Sequence, residues 1–174
     1  MMRAKSILKS NSGFSLLEMI IVIAIISIMT GISVLAFSVV DNANVSKAAN
    51  SFDTAFNSAR VESMARGREA GKLILTYTGG TLYYQIGATG TPKEICNSMI
   101  TVSAVVGENY ALQTGVPLAD GAVIEYEFNS AGSVVYTDAS AMVTKLIFTR
   151  GRRNVEVFLY LDTGKHDTNM FYTP

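Results

Sequence analysis

The carboxylate of Glu18 is the side chain whose position most needs a chemical reason. It stands near the start of FSLLEMIIVIAIISIMTGISVLAFSVV, residues 14–40, where no other side chain is charged. A carboxylate at the edge of an apolar span costs on the order of 2.5–3.5 kcal/mol on insertion scales. It can snorkel to a headgroup layer, or it can meet a positive partner within the apolar phase. No Lys or Arg lies between Phe14 and Val40. Cleavage of the Gly13–Phe14 bond would create a cation, an α-amino group four residues before Glu18. One helix cannot easily turn that amine onto its own Glu18, but a neighbouring copy displaced along the axis can offer it. On this reading Glu18 is an assembly device.

The other chemistry-bearing residues point to no reaction. A Ser-His-acid triad would have to use the single histidine, His166, which lies in the polar C-terminal stretch HDTNMFYTP and reads as a surface or tail residue. One His and one Cys far apart in sequence make a His/Cys metal site improbable, and no metal or other cofactor is expected. Cys96 is the sole cysteine, so no intramolecular disulfide can form, and in its apolar stretch it reads as a small buried hydrophobe. No phosphate-binding GxxxxGK[ST] loop is present. Glu125 and Glu127 share one strand face by their period of two and read as a solvated face. Arg150, Arg152 and Arg153 cluster at a turn between two strands, where they form a positive spot that can contact a partner. Without interleaved aromatics or further basic clusters, DNA binding is not expected, although contact with nucleic-acid phosphate stays open.

These residues need elements to hold them. Residues 1–13, MMRAKSILKSNSG, are short, basic and polar and read as a leader peptide. Residues 14–40 form a transmembrane and assembly helix. Within it, Met19–Phe37 spans roughly 28 Å at about 1.5 Å per residue, close to the hydrocarbon thickness. Arg3, Lys5 and Lys9 precede it, so the N-terminus is placed in the cytoplasm and the rest outside. A secretory signal peptide would need a shorter apolar region and a small-residue cleavage site after it. Formal net charge is +0; loss of those three of the 14 basic residues leaves 11 against 14 acidic, a net of −3.

Residues 41–67 keep a helical period. Val45, Ala48, Ala49, Phe52, Ala55, Phe56 and Ala59 make one apolar face, with Lys47, Asn50, Asp53, Asn57 and Arg60 on the wet side. Glu62 and Arg66 pair at i, i+4, and Gly67 suits the helix end. Residues 68–174 read as a β-rich globular head. Strands are expected at Lys72–Thr78, Thr81–Ile86, Met99–Val106, Ala122–Phe128, Ser133–Thr137, Thr144–Thr149 and Val155–Leu161. Gly79-Gly80 reads as a two-residue hairpin turn, Asn129 to Gly132 and Gly151 to Asn154 as turns, and Ala88–Glu94 and Gly107–Asp120 as loops. The fold class is α+β, with one long N-terminal helix packing its distal half on an antiparallel β-sheet head.

Gly13-Phe14-Ser15-Leu16-Leu17-Glu18 before a long apolar run resembles the class III signal of type IV prepilins and pseudopilins. The resemblance implies cleavage after Gly13 by a membrane aspartyl prepilin peptidase, which also methylates the new Phe14 amine. It implies that Glu18, fifth in the cleaved chain, helps to register subunits. The chain departs from many major pilins in having no helix-bending proline before Pro92, so any local unwinding would centre on Gly31. Ala59–Gly67 followed by Lys72–Thr78, Phe128-Asn129-Ser130-Ala131-Gly132, and Val155–Leu161 ending in Asp162-Thr163-Gly164 resemble H-type minor pseudopilins of type II secretion and related minor pilins. The function this implies is structural: a subunit, of the minor kind, in a type IV pilus or type II secretion-type pseudopilus. It would begin as a single-pass protein of the cytoplasmic (inner) membrane and end in an extracellular or periplasmic filament. The implied partners are the prepilin peptidase, other pilin or pseudopilin subunits and a membrane assembly platform. The competing reading is a membrane-anchored extracellular binding module that never polymerises; an anchored enzyme would need an active site that the sequence does not offer.

Overall fold

The computed structural model describes residues 15–107, 114–136 and 142–172, with only the backbone of 32–39 and 171–172. Helix α1 runs from Leu16 to Arg66, 51 residues without a break at Gly31. Its start is fixed locally: the Glu18 N–H donates to Ser15 Oγ at 3.2 Å, in a Ser-x-x-Glu sequence that has the form of a capping box. Its end is equally local. Gly67 takes φ +97°, a left-handed value that an L side chain adopts only under strain, and its N–H donates to Ser63 O at 2.9 Å. Arg66 closes the last turn on Glu62 at 3.0 Å.

The chain divides into two compact units, Met1–Val39 and Val40–Pro174. In the first, every large apolar side chain from Leu16 to Met29 is 42–79% exposed. The second holds the core. Val45, Ala48, Ala49, Phe52, Ala55, Phe56 and Ala59 of α1 are each no more than 1% exposed, as the stripe in the sequence predicts. Strands β1 (Leu73–Thr78), β2 (Thr81–Ile86), β3 (Lys93–Cys96), β4 (Thr101–Val106), β5 (Val116–Pro117), β6 (Val123–Tyr126), β7 (Val143–Arg150), β8 (Arg153–Tyr160) and β9 (Lys165–Tyr172) make up the rest. They form two antiparallel sheets, β3-β2-β1-β6 and β5-β4-β7-β8-β9. The α1 stripe serves both. Phe56 meets Tyr126 and Phe128 edge-on at 5.6 and 5.0 Å, and Phe52 lies 6.3 Å from Phe148. The architecture is therefore the expected α+β one, a long N-terminal helix with antiparallel sheets.

Three strands depart from expectation. β3 begins inside the expected loop Ala88–Glu94, β5 lies inside Gly107–Asp120, and β9 replaces the expected polar tail. All three are edge strands that pair with a single neighbour. Conversely, Ser133–Thr137 yields only an isolated bridge between Val134 and Phe128, and Thr137 lies outside the described residues. The β7–β8 turn is Gly151-Arg152 alone, because Arg150 and Arg153 already pair across the ladder.

Candidate functional site

Gly13 and Phe14 lie outside the described residues; Glu18 is the candidate that the structure places. It sits exposed in the first turn of α1, where the helix dipole favours a carboxylate. The hydroxyls that follow it are satisfied within the helix: Ser27 Oγ donates to Ile23 O at 2.8 Å and Thr30 Oγ1 to Ile26 O at 2.7 Å. Such back-bonding removes the cost of a hydroxyl in an apolar medium. Among the described residues of this stretch, Glu18 is then left as the polar side chain that needs something from outside its own helix. No described helix is long and apolar enough to cross a membrane. The described apolar side chains stop short of 32–39, which complete the run in the sequence.

The three arginines do not act together. Arg150 Nε donates to Asp41 Oδ1 at 2.6 Å, pinning the β7–β8 turn to α1. Arg153 is half-buried among its neighbours, and Arg152 alone is exposed at the tip. Gly151 turns the chain there with φ +61°, and Arg152 has no positive φ; this is the sign pattern of a type II′ hairpin.

His166 is not a tail residue. It lies on β9 with Nε2 facing Asp53 Oδ1 of α1, and its ring stands edge-on to Phe56 at 5.9 Å. Asp53 therefore leaves the expected wet face of the helix, as does Arg60, whose Nε donates to Gly132 O at 2.9 Å. Both faces of the helix are wrapped further than the apolar stripe indicates, by β9 and by the 129–132 turn. Among the described residues His166 Nδ1 is buried without a hydrogen-bond partner, so none of their hydroxyls is poised to be activated by this acid–histidine pair.

Cys96 is buried, and burial pushes its thiol up to about 11. Glu125 and Glu127 face Lys72 Nζ at 2.7 and 3.4 Å. The hydrogen bond to Glu125 is the main cause that raises the Lys72 ammonium above its ordinary value, against partial opposition from burial. Tyr126 is wholly buried, with its phenol pushed up by desolvation and its hydroxyl donating to Val143 O at 3.0 Å. One pair escaped the sequence: Lys145 and Glu156, at 3.0 Å, with side chains 3% and 15% exposed. Lys145 stands opposite Phe158 and Glu156 opposite Ile147, so the register of β7 on β8 makes the two diagonal neighbours on adjacent strands.

Residues 8–34 match the family described as the prokaryotic N-terminal methylation motif. No curated protein and no solved structure matches the chain. The motif is a type IV prepilin-like signal; it implies a membrane-anchored precursor, processing by a prepilin peptidase and assembly with other pilins.

Proposed function

We propose that this protein is a structural, minor pilin-like subunit of a type IV pilus or a type II secretion-type pseudopilus. It is made as a membrane precursor, with residues 1–13 as leader, 14–40 as the membrane and assembly helix, 41–67 as the amphipathic helix and 68–174 as the head. It is cut between Gly13 and Phe14 and methylated on the Phe14 amine. The H-type minor pseudopilins are the subclass whose strand–turn elements the head resembles. The observation that carries the reading is the methylation motif joined to a helix whose described large apolar side chains from Leu16 to Met29 are exposed.

Such side chains need lipid before assembly and neighbouring helices after it. In either setting the Glu18 carboxylate lacks a cation until the amine of another cleaved subunit reaches it. The work is mechanical: an assembly platform draws cleaved subunits from the bilayer and stacks their helices. Intact mass and N-terminal sequencing of the protein from membranes of its native host test this. The expected chain begins at Phe14 and is one methyl group heavier than the unmodified polypeptide. A chain still beginning at Met1 or Met2, in cells with an active prepilin peptidase, would overturn the reading.

A further inference from the structure

The arginine turn has no place in the filament reading, yet its position is unusually defined. Asp41 is the first charged residue after Glu18 and follows directly on Val40, the last residue of the apolar run. Arg150 holds that same Asp41 at 2.6 Å, and a Cβ on Gly151 would lie 3.3 Å from Asp41 Oδ2. The β7–β8 turn is therefore fixed at the point where the chain leaves its apolar segment. In a membrane-inserted precursor that point is the headgroup layer.

We infer that the Gly151-Arg152 tip docks on the phosphates of anionic phospholipid headgroups while the precursor is in the membrane. This rests on the precursor reading above and adds a contact of the head with the bilayer. The charge is suitable: Arg150 already neutralises Asp41 at 2.6 Å, which leaves the guanidinium of Arg152 next to it along the turn for an outside anion. Arg152 is exposed, and a planar guanidinium matches phosphate geometry bidentately. An apolar contact stands at the same end of the sheet. Met99, 62% exposed, lies in the turn before β4, whose first residue Thr101 pairs with Thr149 beside Arg150. A basic tip flanked by an exposed thioether is the composition of a shallow interfacial contact. The tip would steady the head against the bilayer and release it when the subunit is drawn out.

The test uses the full chain carrying Thr101→Cys, labelled with a thiol-reactive fluorophore; burial shields Cys96 from the label. The protein is reconstituted into phosphatidylcholine vesicles with or without about 30% phosphatidylglycerol, containing a headgroup-attached nitroxide quencher. Flotation reports insertion and quenching reports the tip. The expected result is equal flotation in both vesicles and roughly twofold stronger quenching with phosphatidylglycerol, abolished by high salt. Arg152→Glu and Arg152→Gln should lose that increment, whereas Lys93→Glu, an exposed charge change on β3, should keep it. A chain that floats but shows the same quenching in both vesicles, or the same in Arg152→Glu as in Lys93→Glu, overturns the docking alone. A chain that fails to float overturns the docking and the precursor reading together.

Discussion

At the scale of single residues, the head stores its titratable groups in forms that alkali removes. Cys96 has a folded-state value of about 11 against an ordinary 9.0, so the neutral thiol is favoured in the folded protein. Its contribution to stability is whole below pH 9.0 and is lost as the pH rises through about 11. Lys72 is also raised, above 10.5, and its ion pair with Glu125 contributes below that value and fades once the pH passes the folded one. Tyr126 follows the same sign from its ordinary 10.0 upward. The urea midpoint should thus be level from neutral pH to about 9 and then fall. In Cys96→Ala the fall should begin only near pH 10. A thiol reagent should leave native Cys96 unmodified at mildly alkaline pH and modify it fully in urea. Rapid native modification, or a midpoint that falls no earlier in the unaltered chain than in Cys96→Ala, would show the thiol to be exposed.

At the scale of elements, the joint between α1 and β1 depends on two glycines of different kinds. A Cβ on Gly71 would overlap Ser63 N and Ala59 O, so the chain leading into β1 runs directly against the helix backbone. Gly67 has open space around it and a φ of +97°. Gly71→Ala should therefore cost roughly 3 kcal/mol or more, by forcing the strand off the helix. Gly67→Ala should cost about 1–2 kcal/mol, from backbone conformation alone. Denaturant midpoints decide; equal costs would mean that the joint relaxes freely. The sequence made the position of this joint readable, because the helical period ends at Gly67 and alternation begins after Gly71. β1, β2, β7 and β8 were readable for the same reason, each burying apolar residues in the core that the α1 stripe shares. β9 was not, since Lys165, Asp167 and Asn169 are exposed on one face while His166, Thr168 and Met170 occupy the other. Its strand character comes from eight backbone pairings with β8, which no local pattern announces. Glu18 was legible as a lone charge in an apolar run. The commitments of Arg150 to Asp41 and of His166 to Asp53 were not, because their partners lie on the other side of the chain and only the tertiary register supplies them.

At the scale of the whole molecule, the two units have opposite requirements. Val40–Pro174 buries its own core, while the described apolar side chains before Gly31 are exposed and must be covered by something else. Glu18 sits at the start of that helix, where its part in helix initiation can be separated from the proposed pairing with a neighbour's amine. Its N–H bonds Ser15 Oγ, and a Glu or Gln three residues after the N-cap favours helix initiation through its side chain. Its charge is what an incoming α-amine would seek. Glu18→Gln keeps the capping chemistry and removes the charge, whereas Glu18→Ala removes both. Both variants should still be cleaved at Gly13–Phe14, since cleavage precedes assembly, and both should enter filaments poorly. Fractionation of sheared filaments from membranes, with the N-terminus of each pool sequenced, measures this directly. Poor incorporation of Glu18→Gln places the requirement on the carboxylate charge, as pairing with a neighbour's amine demands. Normal incorporation of Glu18→Gln beside a failing Glu18→Ala would assign Glu18 to helix initiation and remove it from the contacts between subunits.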